Sequence, residues 1–197
     1  MRIIGIAGGT ASGKTTFAHS LKEKLGDSVI ISVDSYYKTL PQVKDGVKEP
    51  VKLDYDDPSS IEDLLLLKHL RDLRQGKTIE CPCYDFKTSL RTTESVTIHP
   101  LKTIIVEGIL TFYWKEVRDV FDCKIFIDAS DAVRFTRRLQ RDVMERGRTK
   151  DFVENQWVTT VEPAYSKFCA PLREYADYVI NGELPIHEML ECFLEKW

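Results

Sequence analysis

Five short apolar runs punctuate the chain: Ile3 to Ala7, Val29 to Val33, Thr103 to Val106, Lys124 to Ile127 and Tyr178 to Ile180. They are nearly continuous in Ile and Val, as expected of parallel strands covered on both faces. Helical patterns separate them, so the chain reads as α/β, a five-stranded parallel sheet flanked by helices. One helix is predicted from Lys14 to Leu25, with Gly26 suited to its C-terminal cap. A second is predicted to begin at Ser59, where Ser59-Ser60-Ile61-Glu62 has the spacing of a capping box before "DLLLLKHLRDL". A third, dense in arginine, covers Ala132 to Glu145. Between Thr78 and Ile98 the period changes to two: "TIECPCYDF" and "ESVTIHP", joined by the polar turn "KTSLRTT", predict a β-hairpin outside the main sheet.

Composition narrows the class. With 197 residues, 43% of them hydrophobic and 30% charged, the chain can bury one core, and a single domain over residues 1–197 is expected. A net charge of −3 provides no broad basic field for nucleic acid or an anionic membrane, so any phosphate must be bound locally. That favours a small phosphorylated ligand. No apolar run approaches the roughly 20 residues that span a bilayer, and the first residues enter a strand pattern rather than a signal peptide, so a cytoplasmic protein is expected. The five cysteines are scattered, unlike a disulfide framework. Cys81-Pro82-Cys83 lacks the two-residue gap and second pair of a zinc site and reads as alternating strand residues.

Gly8-Gly9-Thr10-Ala11-Ser12-Gly13-Lys14-Thr15 satisfies G-x-x-x-x-G-K-[ST], between a strand and a helix that continues through Thr16. This is the phosphate loop of a P-loop NTPase fold. Its glycines permit backbone angles that turn N–H groups toward phosphate oxygens at the positive end of the helix. Lys14 adds a point charge near the transferred phosphate, and the Thr15 hydroxyl is placed to ligate Mg²⁺. "KTIIVEGIL" ends a buried strand with Glu107, a second candidate for the metal, since ligands of open parallel sheets lie at the carboxyl ends of strands.

A phosphate loop identifies a nucleoside triphosphate but not its fate. The second strand ends in "SVDSYY", which puts Asp34 at the same sheet edge, either as a base for an attacking hydroxyl or as a turn-forming carboxylate. Arg134, Arg137, Arg138, Arg141, Arg146 and Arg148 follow within fifteen residues, 134 to 148. Acids are few there and the run ends in Arg146-Gly147-Arg148, so a lid over residues 133–150 closing on phosphate is favoured over a solvated face. In the hairpin, over residues 78–99, Tyr84 and Phe86 share one side of a strand. They serve either to pack a flat ring or to fasten the hairpin to the core.

Taken in order, "GIAGGTASGKTT", "DSYY", "LDYDDP", "PCYDF", "VEGIL", "RRLQRDVMERGR" and "YADYVI" resemble the uridine (uridine–cytidine) kinases of the P-loop kinase superfamily over nearly the whole chain. The resemblance implies transfer of the γ-phosphate of ATP or GTP, with Mg²⁺, to the 5′-hydroxyl of uridine or cytidine in pyrimidine salvage. It implies Asp34 as base and ribose contact, and Asp56 and Arg138 on the ribose hydroxyls. Tyr37, Tyr84 and Phe86 would surround the nucleoside, Arg148 and Gln156 would add contacts, and Glu107 would be the acid near the metal. Arg141 and Arg146 would meet the triphosphate, and a homotetramer is implied. One position departs: where many members carry a histidine or another ring after "YDF", this chain has Ser89, which hydrogen-bonds but cannot stack. Phosphoribulokinase-like and nicotinamide riboside kinase-like enzymes would share the phosphate loop and the Asp34 role, but would not be expected to combine "YDF" with "RRLxRD". A GTP-binding switch is the rival from another class, and the chain lacks an evident N-K-x-D guanine-reading segment.

Overall fold

The computed structural model describes residues 1–38, 54–85, 90–195 and 197. Its strands are β1 (Arg2–Gly8), β2 (Ser28–Ser32), β3 (Ile79–Asp85), β4 (Leu90–Ile98), β5 (Thr103–Glu107), β6 (Cys123–Asp128) and β7 (Tyr178–Asn181). The five apolar runs form one parallel sheet in the order β2-β5-β1-β6-β7, and β3 and β4 pair antiparallel as a separate hairpin. Parallel strands all end at one edge, so the residues following β1, β2 and β5 converge there.

The sheet is covered on both faces, which is why its strands are nearly continuous in Ile and Val. Along β1, Ile3 and Ala7 join one core cluster while Ile4 and Ile6 join the other. Helix α1 (Lys14–Leu25) lays Phe17, Ala18 and Leu21 on the second cluster. On the opposite face α2 (Asp63–Arg74) brings Leu66, Leu70 and Leu73, spaced by four and three, onto the first. A short helix, α3 (Lys115–Arg118), precedes β6, and the arginine-rich helix is α4 (Asp131–Met144). After α5 (Lys150–Gln156) the helical path continues through wide π turns at Trp157–Val161 and Tyr165–Cys169, on either side of α6 (Glu162–Ala164). It tightens at Ala170–Tyr175, enters β7, and ends in α7 (Ile186–Leu194). There Met189 and Phe193 complete the second cluster, with Phe193 meeting Phe17 edge to face at 6.1 Å. No helix among the described residues is long and apolar enough to cross a membrane.

Two local expectations are corrected. The second helix starts at Asp63 rather than Ser59, because Asp57 is the nearer acceptor: its Oδ1 takes the Ser59 N–H at 2.8 Å and turns Pro58–Ser60 into a 3-10 segment. Glu62 makes no cap; its carboxylate accepts from Arg91 Nη1 at 2.8 Å. In the hairpin, β4 begins at Leu90, so residues 90–93 belong to a strand and not to the polar turn.

Arg91 also fixes where the hairpin sits. Its Nη2 donates to the Tyr37 carbonyl at 3.1 Å, and Tyr37 bridges to Ile61, so β4 is tied to the turn that follows β2. Arg91→Met should lower unfolding stability by about 1 kcal/mol, since both partners are partly solvated. It should also speed proteolysis within the hairpin while leaving the sheet resistant. Urea titration and limited proteolysis read the two effects, and equal cleavage rates would refute the tie.

Candidate active site

β1 ends at Gly8 and α1 begins at Lys14, leaving residues 9–13 as a loop at the centre of the sheet edge. The loop is built for close approach. Gly8 (φ +152°) and Gly13 (φ +101°) adopt angles that disfavour other residues, and a Cβ on Gly8 would stand 2.5 Å from the Ile127 carbonyl oxygen. Ala11 also has positive φ, at 59°, a conformation that non-glycine residues retain mainly at functional turns. Lys14 Nζ folds back over the loop to donate to the Gly9 carbonyl at 3.4 Å. Ser12 Oγ is buried with no hydrogen-bond partner among the described residues. Beneath the loop, Arg134 is completely buried, stacked 3.6 Å from the Tyr165 ring and paired with Asp131 and with Glu162 at 3.0 Å. Its Cδ would meet a Cβ on Gly9 at 2.9 Å. Arg134 therefore braces the loop instead of facing a ligand.

The parallel register sets Glu107 beside Ile6 on one side and Ser32 on the other. Its carboxylate accepts from Thr15 Oγ1 at 3.1 Å and from Ser32 Oγ at 3.0 Å. No cluster of three or more His, Cys, Asp or Glu side chains suited to a metal exists among the described residues. One carboxylate with adjacent hydroxyls fits a magnesium ion that keeps water and phosphate oxygens as its other ligands, since that ion dehydrates reluctantly.

Two cavities flank this centre. One is lined by Asp34, Tyr37, Tyr55, Asp56, Glu107, Ile109, Arg138, Arg148 and Gln156. The other runs over Ala11, Gly13 and Thr16 toward Arg137, Gly182, Leu184, Ile186 and Met189. Both include Lys14, Thr15, Arg141 and Arg146, so the cavities meet at four groups suited to phosphate and metal. The second cavity depends on a close backbone contact: a Cβ on Gly182 would lie 2.2 Å from the Ser12 carbonyl oxygen, and Arg137 Nη1 donates to the Gly182 carbonyl at 2.8 Å.

Of the residues singled out from the sequence, Gly8 to Thr16, Asp34, Tyr37, Asp56, Glu107, Arg138, Arg141, Arg148 and Gln156 come together at this edge. Tyr84 is one step behind it. Its hydroxyl donates to that of Tyr55 at 3.1 Å, and its ring packs 5.2 Å from Tyr37, backing the two tyrosines that line the cavity. Phe86 and Ser89 lie outside the described residues. The sequence reading did not single out Tyr55, inside "LDYDDP", or Asp142, in the middle of "RRLQRDVMERGR". The signal for Asp142 is an acid set directly after Arg141 in a run of arginines.

Electrostatics distinguish the acids. Loss of water, reinforced by Glu107 and opposed by Lys14 and Arg146, pushes Asp34 up to about 6. Burial also raises Asp56 to about 6, against the pull of Arg138. Burial in turn depresses Arg138 and Arg146. A carboxyl whose folded value lies above its ordinary 3.8 favours folding only where both states are protonated, and that contribution is lost as pH rises through about 6. Asp34→Asn, with no charge to desolvate, should thus be more stable than the unmodified protein above pH 6, by on the order of 1 kcal/mol after screening. The difference should fade toward pH 4. Urea unfolding at pH 7.5 and pH 5 measures it, and an Asn variant that is less stable at pH 7.5 would contradict the raised carboxyl.

Comparison with known proteins bears on the family of the chain. A sequence profile of the Phosphoribulokinase / Uridine kinase family matches residues 3–186. Uridine-cytidine kinase 2-B of Danio rerio is 40% identical over 187 residues, covering 90% of this chain and 72% of its own. A uridine kinase of Lactobacillus helveticus is 41% identical over 181 residues, covering 90% and 85%. Among solved structures, the phosphoribulokinase from Rhodobacter spheroides superposes with a TM-score of 0.63 at 14% identity, covering 94% of this chain and 73% of that one, a likeness of fold. The chain belongs to the Phosphoribulokinase / Uridine kinase family.

Proposed function

We propose that the protein is a nucleoside kinase that moves the γ-phosphate of ATP, or of GTP, to the 5′-hydroxyl of uridine or cytidine. One observation carries the reading: two cavities, one bounded by the phosphate loop and one by two raised carboxylates and tyrosines, share Lys14, Thr15, Arg141 and Arg146 in their walls. Relatives about 40% identical and named uridine or uridine–cytidine kinases support the choice of acceptor.

The donor triphosphate lies along residues 8–16, with its base toward Leu184 and Ile186. Thr15 and Glu107 would hold Mg²⁺, which when bound neutralises charge on the phosphate oxygens. The nucleoside occupies the other cavity, its ribose hydroxyls on Asp56 and Arg138 and its base beside Tyr37 and Tyr55, with Tyr84 behind. Asp34 orients the 5′-hydroxyl and accepts its proton as the oxygen bonds to the γ-phosphorus and the bond to the diphosphate breaks. Lys14, Arg141 and Arg146 stabilise the charge that develops. Residues 133–150 act as a lid that excludes water and limits hydrolysis of the donor. A base that titrates near 6 is largely ionised at neutral pH yet still able to take a proton.

Incubation of the protein with ATP, Mg²⁺ and a panel of nucleosides, scored by product mass, tests the reading; uridine and cytidine should gain one phosphate and chelation of the metal should stop the reaction. Failure to phosphorylate either while converting another alcohol would overturn the substrate. Asp34→Asn should bind ATP normally and lose on the order of 10² to 10⁴ in kcat. In the unmodified protein kcat/KM should rise with pH through about 6, because only the ionised carboxylate accepts the proton. A flat profile from pH 5 to 8 would remove Asp34 from the role of base.

A further inference from the structure

The four arginines that line the cavity of Asp34 and Asp56 converge on one side chain. Asp142, on α4, is completely buried and its two oxygens are divided between them. Oδ1 takes Arg141, with Nε at 2.9 Å and Nη2 at 2.8 Å, and Arg146 Nη1 at 3.4 Å. Oδ2 faces Arg148 Nη1 at 3.2 Å and Arg138 Nε at 3.6 Å. The division follows the cavities. Arg141 and Arg146 line both, whereas Arg138 and Arg148 line only the cavity of Asp34 and Asp56 and share the Gln156 amide oxygen, each at 3.0 Å. Like charges this close repel, and a single carboxylate cannot neutralise four guanidinium groups.

We propose that Asp142 is a positioning residue that couples the two substrates, so that filling either cavity favours filling the other. Without ligand, four guanidiniums share the Asp142 carboxylate, with Asp56 also acting on Arg138 and Asp34 on Arg146. Phosphate drawing on Arg141 and Arg146 leaves more of the Asp142 charge to Arg138 and Arg148 and relieves their repulsion. Those two then hold the nucleoside side in its binding arrangement. Linkage requires the converse to the same degree: a bound nucleoside tightens the triphosphate. The inference rests on the assignment of donor and acceptor cavities above, but concerns a residue that touches neither substrate.

The test is binding rather than turnover. Uridine is titrated calorimetrically into the protein with Mg²⁺, with and without a non-hydrolysable ATP analogue, and the analogue is titrated with and without uridine. The unmodified protein should show the same enhancement in both directions, on the order of fivefold or more. Asp142→Asn, of the same shape without the charge, should bring the ratio to about one, and Asp142→Glu should restore part of it. If the Asn variant does not fold, as judged by circular dichroism and its melting transition, Arg148→Lys serves instead. It keeps the charge, but an ammonium on a stem of different shape does not take the place of Nη1, the one Arg148 nitrogen that donates to both Asp142 and Gln156, and the ratio should fall at least threefold. A merely structural role would weaken both ligands and leave the ratio unchanged. An unchanged ratio in the folded variants, or no enhancement in an unmodified protein that phosphorylates uridine, would overturn the coupling. Absence of uridine phosphorylation would instead overturn the function on which it rests.

Discussion

Four arginines within one cavity wall would drive one another apart without the carboxylate of Asp142 buried behind them. Arg138, Arg141, Arg146 and Arg148 come from α4 and the turn that follows it, and each has an ion-pair contact with that one side chain. The arrangement is costly when empty, because buried cations retain incomplete compensation; burial depresses Arg138 and Arg146. The same excess of positive charge explains why a protein of net charge −3 can bind a triphosphate without a basic surface.

The sheet sets the other half of the site. The order β2-β5-β1-β6-β7 sends β1 into the phosphate loop with β5 at its side and β2 beyond, so Thr15, Glu107 and Ser32 meet at one point and Asp34 follows one turn later. Behind the loop, Arg134 from α4 and Tyr165 from the wide π turn after α6 fill the space against Gly9, and Glu162 of α6 pairs with Arg134. Such turns recur at functional sites because an extra residue per turn redirects side chains. Two residues of one arginine-rich helix thus do different work: Arg134 braces the loop from below, and Arg141 faces the cavities.

Most of the sheet was legible because covered parallel strands demand continuous apolar runs, and the phosphate loop because its glycines and lysine have few other uses together. Asp34 was legible as an acid at a strand end and Asp56 through the family resemblance, but their raised carboxyls were not, since these come from enclosure by residues distant in sequence. Helix α2 was misplaced at its start because two acceptors, Asp57 and the Ser59 hydroxyl, compete locally, and the partner that removes Glu62 from a cap, Arg91, lies 29 residues on. Spacing left Tyr84 open between packing a flat ring and fastening the hairpin, and it packs on Tyr37 and Tyr55, because strand alternation gives the face but not what another segment lays over it. Arg134 could not be separated from its neighbours by spacing, since only the tertiary position of Tyr165 and Glu162 buries it.

The raised value of Asp34 follows from the same balance. Lys14 and Arg146 pull it toward ionisation, yet the loss of water and the proximity of Glu107 outweigh them. Neutralising Glu107, as a divalent cation held there would, removes the principal opposing charge and makes Asp34 a weaker base with a lower value. Bringing in a triphosphate acts in the opposite sense by adding negative charge near the same carboxylate. The basicity of Asp34 in a filled site would therefore depend on how closely metal and phosphate compensate each other.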